Sequence, residues 1–99
     1  MEASKLKEIL GQHKLWIETN GKQGERANLK GAFLYNAILY DANLKDANLT
    51  GANLYRANLP TVNFSGADLT GAYLKGAILC NANLYHANLT GANLAGAKL

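Results

Sequence analysis

The side chains able to do chemistry are few: one cysteine, Cys80, two histidines, His13 and His86, and seven acidic residues. A thiolate beside an imidazole base is the nucleophilic pairing such a set suggests. Cys80 and His86, however, fall on neighbouring sides and different turn positions in the register described below. They read as two independent surface residues. His86 shares a column with Asp46, but Gly66 lies between them, and two strand spacings put the pair about 10 Å apart. No dyad forms at that distance. No His, Cys, Asp or Glu spacing matches a metal site, and no glycine-rich stretch has the P-loop or dinucleotide-binding form. No catalytic, cofactor-binding or metal-binding residue is assigned, and an enzyme is not expected.

What positions these residues is a repeat. Leucine stands at every fifth place from Leu29 to Leu99, with Phe64 as the exception. Two residues before each stands alanine, from Ala27 to Ala97, with Val62 as the exception. Neither the helical period of 3.6 nor the strand period of two accounts for this. A second period lies behind the first: Gly31, Gly51, Gly71 and Gly91 recur at intervals of twenty, and Thr50, Thr70 and Thr90 precede three of them. Phe33 with Tyr73, and Ile38 with Ile78, recur at forty. Five-residue sides, four to a coil, generate these intervals.

Runs such as DANLT, GANLY and HANLT resemble the pentapeptide-repeat family, whose consensus is A(D/N)LXX. The resemblance implies an all-β solenoid, a right-handed quadrilateral β-helix with between three and four coils here. The twenty-residue interval supports the four sides independently. One coil alone buries nothing, but stacking at about 4.8 Å pairs each backbone group above and below. Leucine then fills the bore and alanine lets the corners approach closely. Segments such as Leu49-Thr50-Gly51-Ala52 read as turns with glycine at the third place, where type II needs positive φ. In Leu59-Pro60-Thr61-Val62, proline takes the second place, which suits its fixed φ. Val62 and Phe64, both oversized, predict a local widening of one coil and no ligand cavity.

Residues 1–24 carry no repeats and form the N-terminal cap and linker; residues 25–99 form the β-helix. Leu6, Ile9, Leu10, His13, Trp16 and Ile17 make one helical stripe. Ser4 is the expected N-cap, Asn20-Gly21 the expected stop, and Gly11 a place where the helix can divide. The stripe should cover Leu29 and Leu34, with His13 a hydrogen-bonded cap residue and not a ligand or base. The leader HKLWIETNGKQGERANL also resembles segments that precede the repeats in bacterial, especially cyanobacterial, family members.

The residue before each central leucine is usually Asn. Phe33, Ile38, Tyr73 and Ile78 replace it, and Tyr35, Tyr40 and Tyr55 lie on the same two sides. These seven residues are the candidate interaction surface, unless the N-terminal segment covers them. Leu94 and Leu99 lie on a final coil with no matching cap. End-to-end self-association there, or a partner that continues the helix, is expected, and the chain also fits one piece of a longer array.

Ten Lys and Arg against seven Asp and Glu give a net charge of +3. The family resemblance brings a second reading, a DNA mimic that modulates DNA gyrase. Duplex DNA carries one charge per about 1.7 Å, whereas the repeats offer Asp41, Asp46 and Asp68 against Lys30, Lys45, Arg56, Lys75 and Lys98. The chain also lacks the C-terminal dimerisation helix of such members. Those five basic residues are spread over all four sides, so no phosphate-binding stripe and no nucleic-acid partner is expected. No apolar run approaches the ~20 residues that span a bilayer, no signal peptide is present, and a lone cysteine suits a reducing compartment. A cytoplasmic, non-enzymatic scaffold or protein-binding module is the expected assignment.

Overall fold

The computed structural model describes residues 1–99. One helix, α1 (Ala3–Glu18), precedes a β-helical solenoid in which parallel bridges join residues twenty apart, from Asn28–Asn48 to Ile78–Lys98. Each five-residue side makes three rungs. The central leucine N–H and the corner N–H donate to carbonyls nineteen residues on, as Leu49 does to Asp68 at 2.7 Å and Gly51 to Thr70 at 2.8 Å. The intervening Asn-type residue donates back, as Asp68 does to Ala47 at 2.9 Å. Leucines and alanines of the middle coils are fully buried, with Phe64 and Val62 among them.

Every corner has the fourth residue's N–H bonded to the first residue's carbonyl and positive φ at the third place. The glycine rule is therefore only half the story. Asn36, Asp41, Asp46, Arg56, Thr61, Asn81 and His86 adopt the same left-handed conformation, φ 55–61°, with a Cβ. Stacking imposes the corner on whatever residue arrives, at about 1–2 kcal/mol per non-glycine residue. Gly51, φ +66°, has open space around it.

Lengthened bonds occur at one corner, the one that carries Pro60, while the bonds of Phe64 keep ordinary lengths, 2.7 Å to Asn83 and 2.9 Å from Ala67. The corner bonds Ala42–Leu39 and Val62–Leu59 measure 3.5 and 3.4 Å, against 2.9–3.1 Å at the other corners, and the rung Asp41–Pro60 measures 3.3 Å, against 2.8–3.0 Å for the other corner rungs. Val62 and Phe64 are themselves fully buried in the bore.

α1 departs from expectation at its start. Ser4 lies inside the helix; the N-cap is Glu2, and its side chain makes no capping bond. The helix also runs unbroken through Gly11, whose surroundings are open, so nothing forces a division. The stop falls where expected, but Asn20 takes the left-handed position, φ 54°. Its N–H bonds the Ile17 carbonyl and the Gly21 N–H bonds the Trp16 carbonyl, which is the Schellman pattern.

Leu6, Ile9 and Leu10 pack against the bore, and Leu29, Leu34, Leu39 and Leu44 beneath are buried. The connection to the first coil presses on α1 at Gly24, where an added Cβ would strike the Gln12 carbonyl oxygen and the Trp16 backbone nitrogen. Replacing Gly51 by Ala should cost about 1–2 kcal/mol through its positive φ. Gly24→Ala should cost about 1–3 kcal/mol more, since overpacking is added to the same strain. Urea titrations followed by circular dichroism measure both, and equal losses would contradict this account of the cap.

Candidate interaction surface

The outward Asn residues have a backbone task. At nine corners an Asn or Asp Oδ1 accepts the N–H of the residue two places on, the second residue of the turn, as Asn53 does from Tyr55 at 3.0 Å. That N–H points away from the ladder and has no other protein acceptor. Phe33, Ile38, Tyr73 and Ile78 have no such oxygen, so each leaves the following N–H to solvent. Four bonds are forgone on two adjacent sides.

The chain thereby gains apolar surface. Phe33 and Ile38 are 67% and 66% exposed, Tyr35 and Tyr40 more than half exposed, and Tyr73 only 37%. Tyr55 and Ile78 are half-buried. Tyr55 and Tyr73 stack with ring centroids 5.8 Å apart and planes 15° apart, and the Arg56 guanidinium lies 5.7 Å over Tyr55. Tyr40 accepts a hydrogen bond from Asn58 Nδ2 at 3.0 Å. Asn58 accepts no corner bond, because Pro60, two residues on, has no N–H to donate. The N-terminal segment covers only the margin: the Met1 ammonium donates to the Phe33 carbonyl at 2.9 Å. Between them, Met1, Leu6, Phe33, Tyr35 and Ile38 line an open groove of about 460 Å³.

The seven residues thus divide. Phe33, Tyr35, Ile38 and Tyr40 form the exposed part beside the cap. Tyr55 and Tyr73 form a stacked pair, and Ile78 is set apart beyond Asn58. An aromatic that sequence reading passed over is Tyr85, exposed and 4.0 Å from the His86 ring on another side. It follows an ordinary Asn83, so no break in the pattern marks it.

The remaining polar groups serve locally. The Thr61 hydroxyl donates to Asp41 Oδ1, and the Thr70 hydroxyl donates to Asp68 Oδ1 at 2.6 Å. Bonds from the Thr70 hydroxyl and N–H hold the Asp68 carboxyl below its ordinary range. Cys80 is exposed and unpaired. No three His, Cys, Asp or Glu side chains gather to hold a metal, and no helix is long and apolar enough to cross a membrane.

His13 is fully buried and stacks on Trp16 with ring centroids 5.5 Å apart. Its Nδ1 accepts the Ala27 N–H at 2.9 Å, so the proton resides on Nε2, which donates to the Lys45 carbonyl at 2.8 Å. In later coils these groups are served by backbone: Ala47 N–H bonds the Leu44 carbonyl, and the Ser65 carbonyl takes the Asp46 N–H. The imidazole stands in for a corner that the first coil does not have.

Restoring the missing oxygens offers a direct test of the surface's cost. The double change Phe33→Asn with Tyr73→Asn should raise stability by about 1–2 kcal/mol, one net hydrogen bond at each site, less the lost stacking on Tyr55. A destabilised or unfolded variant in thermal melts would mean that these side chains hold the fold together.

The sequence profile described as pentapeptide repeats matches residues 25–60 and 63–99. Among solved structures, a pentapeptide repeat protein from the cyanobacterium Cyanothece 51142 is 40% identical, covering 69% of this chain and 50% of its own, with a TM-score of 0.42. A pentapeptide repeat protein from the Arabidopsis thaliana thylakoid lumen is 33% identical, covering 71% and 56%, with a TM-score of 0.41. HetL of Nostoc, a pentapeptide repeat protein involved in heterocyst differentiation regulation, is 31% identical over 73% and 48%, with a TM-score of 0.33. The chain spans about half the length of these three structures. Among curated proteins none matches.

Proposed function

Since this chain belongs to the pentapeptide-repeat family, we propose that it is a non-enzymatic scaffold that binds a protein partner through its two apolar sides. The solenoid is taken here as the right-handed quadrilateral form with between three and four coils. One observation carries the reading: four corner positions on adjacent sides exchange a backbone hydrogen bond for an exposed or half-exposed apolar side chain. Nothing in the fold needs that exchange, because Asn at the same place in neighbouring coils serves the corner. Contiguous exposed apolar patches of this kind mark interaction sites. Phe33, Tyr35, Ile38 and Tyr40 form the part nearest a partner, and the stacked Tyr55–Tyr73 pair, being pre-ordered, loses little side-chain freedom on binding.

A second surface is proposed at the far end. The bore residues Leu84, Leu89 and Leu94 are only half-buried and Leu99 is 77% exposed. A second copy docking there would bury them. A cytoplasmic, reducing setting is part of the proposal, and the exposed thiol of Cys80 suits it.

Affinity capture from native lysate, with the wild type and the Phe33→Asn/Tyr73→Asn protein side by side, tests the main surface. A specific partner should be retained by the first and reduced at least tenfold on the second. Equal retention removes these sides from the interface. Sedimentation velocity tests the end surface, and a strict monomer at high concentration would sink it. A gyrase supercoiling assay should show no inhibition at low micromolar protein; inhibition would favour DNA mimicry, despite the three acidic residues of the repeats.

A further inference from the structure

We infer that His13 is a proton-sensitive latch that releases the N-terminal cap from the β-helix in mildly acidic solution. The geometry is specific. Nδ1 can accept the Ala27 N–H only while the imidazole is neutral, and the ring is fully buried. A proton added at Nδ1 would face another proton on the Ala27 nitrogen, with no acceptor between them. The bond at 2.9 Å then becomes a repulsive contact. The Nε2–H bond to Lys45 survives protonation, but it cannot hold the ring in place against that contact and the burial of a charge.

The groups facing the ring are mixed. Asp46, on the first full corner below, favours the charged ring, whereas Arg26, just before Ala27, disfavours it. Trp16 on α1 covers one face. Burial is the largest influence and lowers the imidazole below its ordinary value of 6.5, against the opposing effects of the Lys45 carbonyl and Asp46. The unfolded or uncapped state therefore binds the proton more tightly than the capped state. Stability contributed by the latch is complete above about pH 6.5 and is lost progressively as pH falls toward the lowered value.

Release has a defined structural result. Leu6, Ile9 and Leu10 leave the bore, and the unpaired edge of the first coil becomes accessible next to Phe33 and Ile38. The exposed aromatic surface is thereby extended by the open end of the solenoid. No other titratable group in the chain sits at both a buried position and a contact between the cap and the repeats.

Trp16 is the single tryptophan, so its fluorescence reports on the latch alone. The intact, 15N-labelled chain is titrated from about pH 8 to about pH 4.5, following Trp16 emission, the His13 ring nitrogens and exchange of the Ala27 amide. Three results are expected. At high pH the ring shows the Nε2–H tautomer. Below about pH 6.5 the uncapped population grows by up to about tenfold per pH unit, and Ala27 protection falls with it. The amides of Leu54 and Leu69, deep in the solenoid, stay protected throughout.

His13→Gln supplies an acceptor and a donor on one planar group that does not titrate, so its Ala27 protection should be independent of pH across this range. His86→Asn, which removes the exposed imidazole at a left-handed corner that Asn accommodates, should behave as the wild type. The inference fails if Ala27 stays protected to pH 4.5 while His13 titrates. It fails too if His13→Gln keeps the wild-type slope, if His86→Asn abolishes it, or if the solenoid amides are lost together with Ala27. The wild-type ring titration stands even if His13→Gln does not fold.

Discussion

The structure rests on one constraint, the pairing of each residue with the residue twenty places on. All inter-coil backbone hydrogen bonds obey it, and so does every choice of inward side chain. A column of stacked positions must share one backbone conformation, or the rungs above and below break together. That is why Arg56 and Thr61 accept left-handed φ values that an isolated turn would not give a β-branched or long side chain. It is also why the lengthened corner bond at Val62 recurs in the neighbouring coil at Ala42. Strain in a solenoid spreads along the column before it spreads along the chain.

The same constraint separates roles among the five positions. Leucine and alanine are committed to the bore and the corner. The Asn position, which looks free because it faces solvent, is committed as well, since its Oδ1 serves the turn N–H. Departures from Asn therefore carry more information than surface position alone suggests. At Phe33, Ile38, Tyr73 and Ile78 the backbone gives up a bond, and what replaces it is apolar side-chain surface, part of it stacked or half-buried within the fold.

Much of this was legible in the sequence because its period is strict. Leucine spacing placed the bore, and the glycine interval of twenty placed the coil repeat. Four of the seven candidate surface residues followed from departures in the Asn column, and Tyr35, Tyr40 and Tyr55 from lying on the same two sides. What the sequence hid was of two kinds. The Asx bonds were invisible because polarity alone explains an outward Asn, and only the geometry shows what its oxygen accepts. The helix start was misread at Ser4 because local capping preference was followed, whereas packing of Leu6 and Ile9 on the bore draws the helix back to Ala3. The role of His13 was anticipated as a satisfied cap residue. Its two partners were not, since Ala27 and Lys45 come together only when the first coil closes.

The rungs are not balanced in direction. On each side two N–H groups point toward the C-terminal coil and one points back, so one peptide dipole per side remains uncancelled. Summed over sides and coils, the solenoid acquires an axial polarity with its carbonyl-rich, negative pole at the N-terminal end, opposite in sense to an α-helix. The cap answers that pole with donors: the Met1 ammonium on the Phe33 carbonyl and the His13 Nε2–H on the Lys45 carbonyl. Toward the opposite pole the surplus is of N–H groups, so the field there favours carbonyl or carboxylate oxygens.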